Sequence, residues 1–173
     1  MNLLLSGTSA SGKNTIGAAL AGRVKPCAVI DFDMVRLMFA NPHLTPWQGD
    51  QGYAQQLMGV RMVSSLASQF QTMGWHTVIL DVLWCESPVL YRELLGDRLT
   101  IVSLLPAFEE TVRRSGEREA REGYRRLTAA ELRLVYDEHA SVSDYDLRID
   151  NTNIPAVEVA EEILRRFIAV EDR

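Results

Sequence analysis

Short apolar runs alternate along the chain with longer stretches in which apolar residues recur every three or four positions. Five runs read as strands: Asn2 to Ser6, Cys27 to Asp31, His76 to Asp81, Leu99 to Leu104 and Tyr145 to Asp150. Each is mostly apolar or β-branched, as strands are when both faces of a sheet are covered. The stretches between them predict helices over Lys13 to Gly22, Met34 to Ala40, Ala54 to Met73, Pro88 to Leu95, Ala107 to Ser115, Ala129 to Ala140 and Ala156 to Val170. Strand and helix in alternation predict a parallel sheet with helical crossovers. Local chemistry agrees. Ser87-Pro88 starts a helix, Gly74 and Gly96 follow helices where a left-handed cap is wanted, and Thr128-Ala-Ala-Glu131 has the spacing of a capping box.

Length and composition narrow the class. With 173 residues, 47% of them hydrophobic and 24% charged, the chain reads as one globular domain over 1–173, with no repeat and no linker. A formal net charge of −5 argues against a surface that is wholly a nucleic-acid or membrane footprint. The N-terminal leucine run lacks a basic flank and is too short for a signal peptide or a membrane span. Two cysteines, Cys27 and Cys85, do not make a disulfide framework, so a reducing, cytoplasmic setting is expected. Arginines number 16 against two lysines, Lys13 and Lys25. GC-rich codon usage would account for that bias.

The chemistry starts directly after the first strand. Gly7-Thr8-Ser9-Ala10-Ser11-Gly12-Lys13-Asn14-Thr15 runs into an amphipathic helix, which is the strand, loop and helix context that a GxxxxGK phosphate loop requires. Its glycines allow a backbone turn that points N–H groups inward, the helix N-terminus adds positive potential, and Lys13 reaches the β- and γ-phosphates. The cradle assigned to nucleotide is therefore Gly7, Ser9, Ala10, Ser11, Gly12, Lys13, Asn14 and Thr15. One position departs from the usual motif: the hydroxyl residue expected after the lysine, a Mg²⁺ ligand, is Asn14. Here the loop resembles adenylate and cytidylate kinases, in which the hydroxyl comes one residue later. The resemblance implies that Thr15 faces the α-phosphate or the water shell of the metal.

The next two strands end in carboxylates. Val29-Ile30-Asp31-Phe32-Asp33-Met34-Val35-Arg36 puts two aspartates and an arginine at the carboxyl edge of the sheet, where open α/β folds bind ligands. Asp33 is the candidate base for an attacking hydroxyl, and Arg36 can hold an anionic group of the acceptor. A plainer reading makes Asp33 only a helix cap. Asp31, and Asp81 at the end of His76 to Asp81, are candidates for Mg²⁺ through water, although a strand-ending Asp is often only a cap. The Asn-Lys-x-Asp motif of a guanine-binding switch protein is missing, which leaves ATP as the expected nucleotide.

Arg113, Arg114, Arg118, Arg121, Arg125 and Arg126 crowd into fourteen residues, interspersed with Glu117, Glu119 and Glu122 and with Gly116 and Gly123. The segment reads as a mobile lid over about 113–128 that neutralises phosphate charge and excludes water. The alternative is a solvated helix face with Glu/Arg pairs. With the cradle, the Asp-x-Asp, this segment and the late Asp150-Asn151-Thr152 turn together, the chain resembles the small P-loop kinases: shikimate kinase, chloramphenicol phosphotransferase, zeta-toxin kinases and polynucleotide kinases. The resemblance implies a three-layer α/β P-loop fold with a five-stranded parallel sheet and an arginine-rich lid. It also implies Asp33 as base, Arg118 and Arg125 as the lid pair on adenine and phosphate, and Asn151 and Thr152 beside the adenine. Arg114, Arg121 and Arg126 remain candidates for the same roles.

Acceptor choice is expected from 33–61, with Asp33, Arg36, Trp47, Tyr53 and Arg61, together with Trp84; the aromatics could equally be packing residues. Met58, Met62 and Met73 read as core filler. The expected activity is ATP-dependent, Mg²⁺-assisted transfer of the γ-phosphate to a hydroxyl of a small molecule such as a metabolite or antibiotic. The alternatives are a kinase for a nucleic-acid 5′-hydroxyl or a nucleotide, and a non-catalytic ATP-binding regulator.

Overall fold

In a computed structural model, which describes residues 1–122 and 127–171, with the side chains of 119–122 and 167–171 excepted, all five strands form one parallel sheet. They are β1 (Asn2–Gly7), β2 (Cys27–Asp31), β3 (His76–Asp81), β4 (Leu99–Leu104) and β5 (Leu147–Ile149), in the order β2-β3-β1-β4-β5. In register, Ser6 of β1 lies level with Asp81 of β3 and Ser103 of β4. The helices are α1 (Lys13–Ala21), α2 (Phe32–Arg36), α3 (Gly49–Thr72), α4 (Ser87–Leu95), α5 (Phe108–Glu122), α6 (Ala129–Ser141) and α7 (Ala156–Glu171).

The alternation within the strands sets the layers. Leu4, Ile79 and Ile101 point to one face and pack with Phe32, Val60, Val63 and Tyr91 beneath α3 and α4. Leu3, Leu5, Val78, Leu80 and Val102 point to the other and meet Ile16 and Leu20 of α1 and Val159 and Ile163 of α7. Both faces are thus covered, which accounts for the near-continuous apolarity of the strands. Among the described residues no helix is long and apolar enough to cross a membrane.

Several boundaries differ from the sequence reading. Helix α2 spans the five residues Phe32–Arg36 in place of the expected Met34 to Ala40, and Leu37 caps its end. Helix α3 begins at Gly49, five residues before the expected Ala54. Gly52 permits this, because a Cβ there would lie 2.1 Å from the Thr45 carbonyl oxygen. Met58 and Met73 are exposed, so they are not core filler. The expected Ser87 cap serves the preceding loop instead: Ser87 Oγ accepts from Trp84 N, and Glu86 takes the cap position. The Thr128–Glu131 capping box forms, and Gly74 and Gly96 have positive φ.

The segment expected to act as a lid is helical over its first part. Residues Arg113 to Glu122 continue α5, and Arg113 bridges Glu110 and Glu117 in the i,i+3 and i,i+4 pairs of a solvated helix face. Gly123, Arg125 and Arg126 lie outside the described residues, and Arg121 is described only by its place in the helix.

Behind the first strand sits a buried polar cluster. His139 of α6, wholly inaccessible, has Nδ1 2.9 Å from the Tyr145 hydroxyl and 3.3 Å from Ser6 Oγ, and Nε2 3.1 Å from Ser103 Oγ. Tyr145 therefore belongs to this cluster and not to β5. Burial pushes His139 down from 6.5 to about 4, with Lys13 and Arg148 acting the same way. Between these values the unfolded chain binds the proton and the folded one does not. The contribution is complete above pH 6.5 and is lost as the pH falls toward 4, by roughly 3 kcal/mol. Asp81, raised to about 8 by burial, acts in the opposite sense over the same range, so the readout is a difference: between pH 7 and pH 4.5 the urea midpoint of His139→Gln should rise relative to that of the unchanged chain.

Candidate active site

The phosphate loop leaves β1 at Gly7, where even a Cβ would stand 2.3 Å from Ser11 Oγ and 3.2 Å from the Leu104 carbonyl oxygen. Ala10 (φ 62°) and Gly12 (φ 93°) both take left-handed geometry, the kind of alternation that turns successive N–H groups into one concavity. Lys13, 6% exposed, opens α1 and lines the cavity beyond. Thr15 is exposed on the first turn of α1 and is not among the lining residues.

Support for the loop comes from the far end of the chain. Asn151, 2% exposed, donates its amide to the Ser11 carbonyl (2.8 Å). Thr152 Oγ1 accepts from Ala107 N (2.8 Å) and bonds Asp150. Arg114 donates to the carbonyls of Asn151 (3.0 Å) and Thr152 (2.8 Å) while its Nε holds Glu110. Asn151 and Thr152 therefore brace the cradle from beneath and do not line the cavity.

Asp31 ties the second strand to the loop. Its Oδ2 accepts from Asn14 Nδ2 (3.1 Å) and its Oδ1 from Asp33 N (3.0 Å), which makes Asp31 the cap of α2. The cap reading of Asp33 is thereby corrected: Asp33 lies in the first turn, is exposed, and lines the cavity. Arg36, one turn on, donates from Nη2 to the Leu44 carbonyl, and its Nε is buried without a partner among the described residues. Burial pushes the Arg36 guanidinium down, opposed by Asp33 and Asp81. Asp81 is 2% exposed, accepts from Val82 N (2.6 Å) and the Tyr91 hydroxyl (3.0 Å), and is raised to about 8, burial being the largest cause and Lys13 acting against it.

These groups share one cavity of about 660 Å³ at the carboxyl edge. Ser9, Lys13 and Asn14 form the loop side, Asp31 and Asp81 the strand ends, and Asp33 comes from the first turn of α2. Ser115 and Arg118 of α5 and Glu131 of α6 form a third wall. Trp47 and Trp84 face each other across 5.6 Å at a tilt of 44°, and both line the cavity. Tyr53 does not line it; its hydroxyl bonds Glu86, and burial together with that carboxylate pushes it up to about 12. Arg61 is exposed on α3 and is also away from the lining.

The sequence reading singled out neither Phe32, Met34, Leu37 and Val135 as lining residues nor Tyr91 as the partner of Asp81. Met34 and Leu37 could have been found from their i,i+3 spacing beside Asp33 and Arg36.

The sequence matches no family model and no curated protein. Solved structures do match. The APS kinase of Mycobacterium tuberculosis in complex with AMPPNP and APS is 20% identical, covers 95% of this chain and 95% of its own, and has a TM-score of 0.69. The shikimate kinase of Acinetobacter baumannii in complex with shikimate is 18% identical over 99% and 95%, with a TM-score of 0.63. The tunicamycin resistance protein of Deinococcus radiodurans is 14% identical over 96% and 94%, with a TM-score of 0.66. The chain has the fold of the P-loop kinases.

Among the described residues no three His, Cys, Asp or Glu side chains gather as a metal cage. A site of isolated carboxylates beside a phosphate loop suits Mg²⁺, which keeps most of its waters and binds chiefly through phosphates.

Arg114→Met should lower stability by about 1 to 3 kcal/mol in urea unfolding, because two carbonyls of the bracing turn lose their charged donor.

Proposed function

We propose that this chain, acting as one kinase domain, is an ATP-dependent phosphotransferase that moves the γ-phosphate to a hydroxyl of a small-molecule acceptor. One observation carries the reading: Asp31 takes over the cap of α2, so that Asp33 lines the same cavity as Lys13. The fold shared with the APS and shikimate kinases supports it.

In this reading the N–H groups of 7–15 and Lys13 hold the phosphates and neutralise charge as it shifts toward the leaving oxygen. Asp33 orients the acceptor hydroxyl and takes its proton as the oxygen bonds the γ-phosphorus. The bond from that phosphorus to the bridging oxygen breaks, and ADP leaves. Asp31 and Asp81, which line one cavity with Lys13, would hold Mg²⁺ through water. When bound, Mg²⁺ supplies positive charge to the phosphate oxygens. Arg118, already on the cavity wall, serves the nucleotide side, and Arg125, which lies outside the described residues, is its proposed companion. Arg36 and the Trp47–Trp84 pair shape the acceptor side. Cys27 and Cys85 are both free thiols, in keeping with work in a reducing, cytoplasmic setting.

Mass spectrometry of a cell extract incubated with the protein and ATP tests the proposal through a gain of one phosphate on a metabolite. Lys13→Ala should abolish turnover. Asp33→Asn should lower kcat about 10²- to 10⁴-fold with ATP binding kept. Full transfer by Asp33→Asn would remove the base assignment, and ATP loss with no phosphorylated acceptor would count against transfer itself.

A further inference from the structure

The buried face of α3 runs through Gly52, Gln56, Gly59, Val60, Val63 and Ala67, and all of these except Gln56 are small or apolar. Burying an amide without partners costs free energy that an apolar side chain of the same size would not. Gln56 is 2% exposed, yet no described residue gives its side-chain amide a hydrogen bond or takes one from it. Its neighbour Gln55 is used at both ends, accepting from Leu44 N (3.0 Å) and donating to the Pro42 carbonyl (2.9 Å).

The place of Gln56 supplies the reason that its contacts do not: it lines the cavity that holds Lys13 and Asp33. Two close approaches hold the helix there. One turn before Gln56, a Cβ on Gly52 would stand 2.1 Å from the Thr45 carbonyl oxygen, and one turn after it a Cβ on Gly59 would stand 2.7 Å from Phe32 Cζ. Thr45 and Phe32 line the same cavity, and Phe32 precedes Asp33 in α2. The backbone is thus pinned on both sides of Gln56. A polar side chain fixed in this way on an enclosed wall is suited to reading one group of a ligand.

The amide dictates what that group can be. It presents an acceptor oxygen and two N–H donors and carries no charge. A carboxylate or phosphate can take an N–H but leaves Oε1 facing an anion, whereas hydroxyls can donate to Oε1 and accept from Nε2. Arg36, a cation on the same lining, can still take an anionic group elsewhere on the acceptor, so the requirement at Gln56 holds for one part of the molecule. Resting on the phosphotransferase reading, we infer that Gln56 is a specificity-determining residue that binds uncharged hydroxyls of a polyol acceptor, whose reacting hydroxyl lies at Asp33.

Probes built on one ring isolate that group. Cyclohexanol has a single hydroxyl; cyclohexane-1,2-diol, cyclohexane-1,3-diol and myo-inositol add uncharged hydroxyls, and 2-hydroxycyclohexanecarboxylate adds a carboxylate instead. With the full chain, calorimetry and saturation-transfer NMR should show at least one of the three polyols binding about fivefold or more tightly than cyclohexanol. Gln56→Met, close in volume and without hydrogen bonds, should weaken that polyol about five- to tenfold and change cyclohexanol and the hydroxy acid less than about twofold. Because no described residue partners the amide, the urea midpoint of Gln56→Met should stay or rise, where a merely structural role would lower it. Polyols that bind no better than cyclohexanol, unchanged polyol binding in Gln56→Met, an equal loss for the hydroxy acid, or a fallen midpoint overturns the inference. The comparison of probes on the unchanged chain needs no variant to fold. ATP binding is measured alongside. Its absence with the polyol preference intact removes the phosphotransferase reading alone, and its presence without a polyol preference removes the role of Gln56 alone.

Discussion

A parallel sheet covered by helices on both faces keeps its polar groups to the strand ends, and here three neighbouring strands, β2, β3 and β1, each deliver one at the carboxyl end. β1 delivers Gly7 and the phosphate loop, β2 delivers Asp31, and β3 delivers Asp81. Close packing of Leu3, Leu4 and Leu5 between two apolar layers leaves β1 little freedom to slide. The placement of Lys13 relative to Asp81 is thus a consequence of core packing and of the register between Ser6 and Asp81. What the site can do chemically depends on that register.

The loop itself would be a poor anchor without help, because its backbone takes left-handed geometry twice in three residues. Help comes from residues distant in sequence. Asn151 holds the Ser11 carbonyl, Arg114 holds the two carbonyls of the 151–152 turn, and Thr152 links that turn to Ala107 at the start of α5. Satisfying these carbonyls matters because buried polar groups left without partners cost more than the bonds themselves are worth in water. The arginine-rich stretch therefore contributes to the architecture of the cradle through Arg114 as well as to the cavity wall through Arg118.

The strands and the phosphate loop were legible in the sequence because each follows from a local rule: two-sided burial for the strands, and glycine spacing with lysine for the loop. What escaped was set by contacts between distant segments. Gly49 to Gly52 reads as a loop by composition, yet it is helical because the bare Cα of Gly52 can approach the Thr45 carbonyl. The helix expected to stop at Ser115 runs on through the glycine- and charge-rich stretch to Glu122, held by pairs such as Glu110–Arg114 and Arg113–Glu117. Asp31 and Asp33 look equivalent on paper. Only the position of Asn14, brought beside β2 by the sheet, shows that the first carboxylate is engaged by the loop and the second faces the cavity. Tyr53 and Arg61 lie on α3 and are not among the lining residues.

The two oxygens of Asp31 are committed to different halves of the site, one to Asn14 at the start of α1 and one to the backbone of Asp33 at the start of α2. A carboxylate has a single plane, so a rotation that improves one of these bonds degrades the other. The two helix starts are consequently geared together through one side chain: the residue standing where a metal-binding hydroxyl is usual is instead a mechanical link, and the aim of the Asp33 backbone is tied to the pose of the phosphate loop.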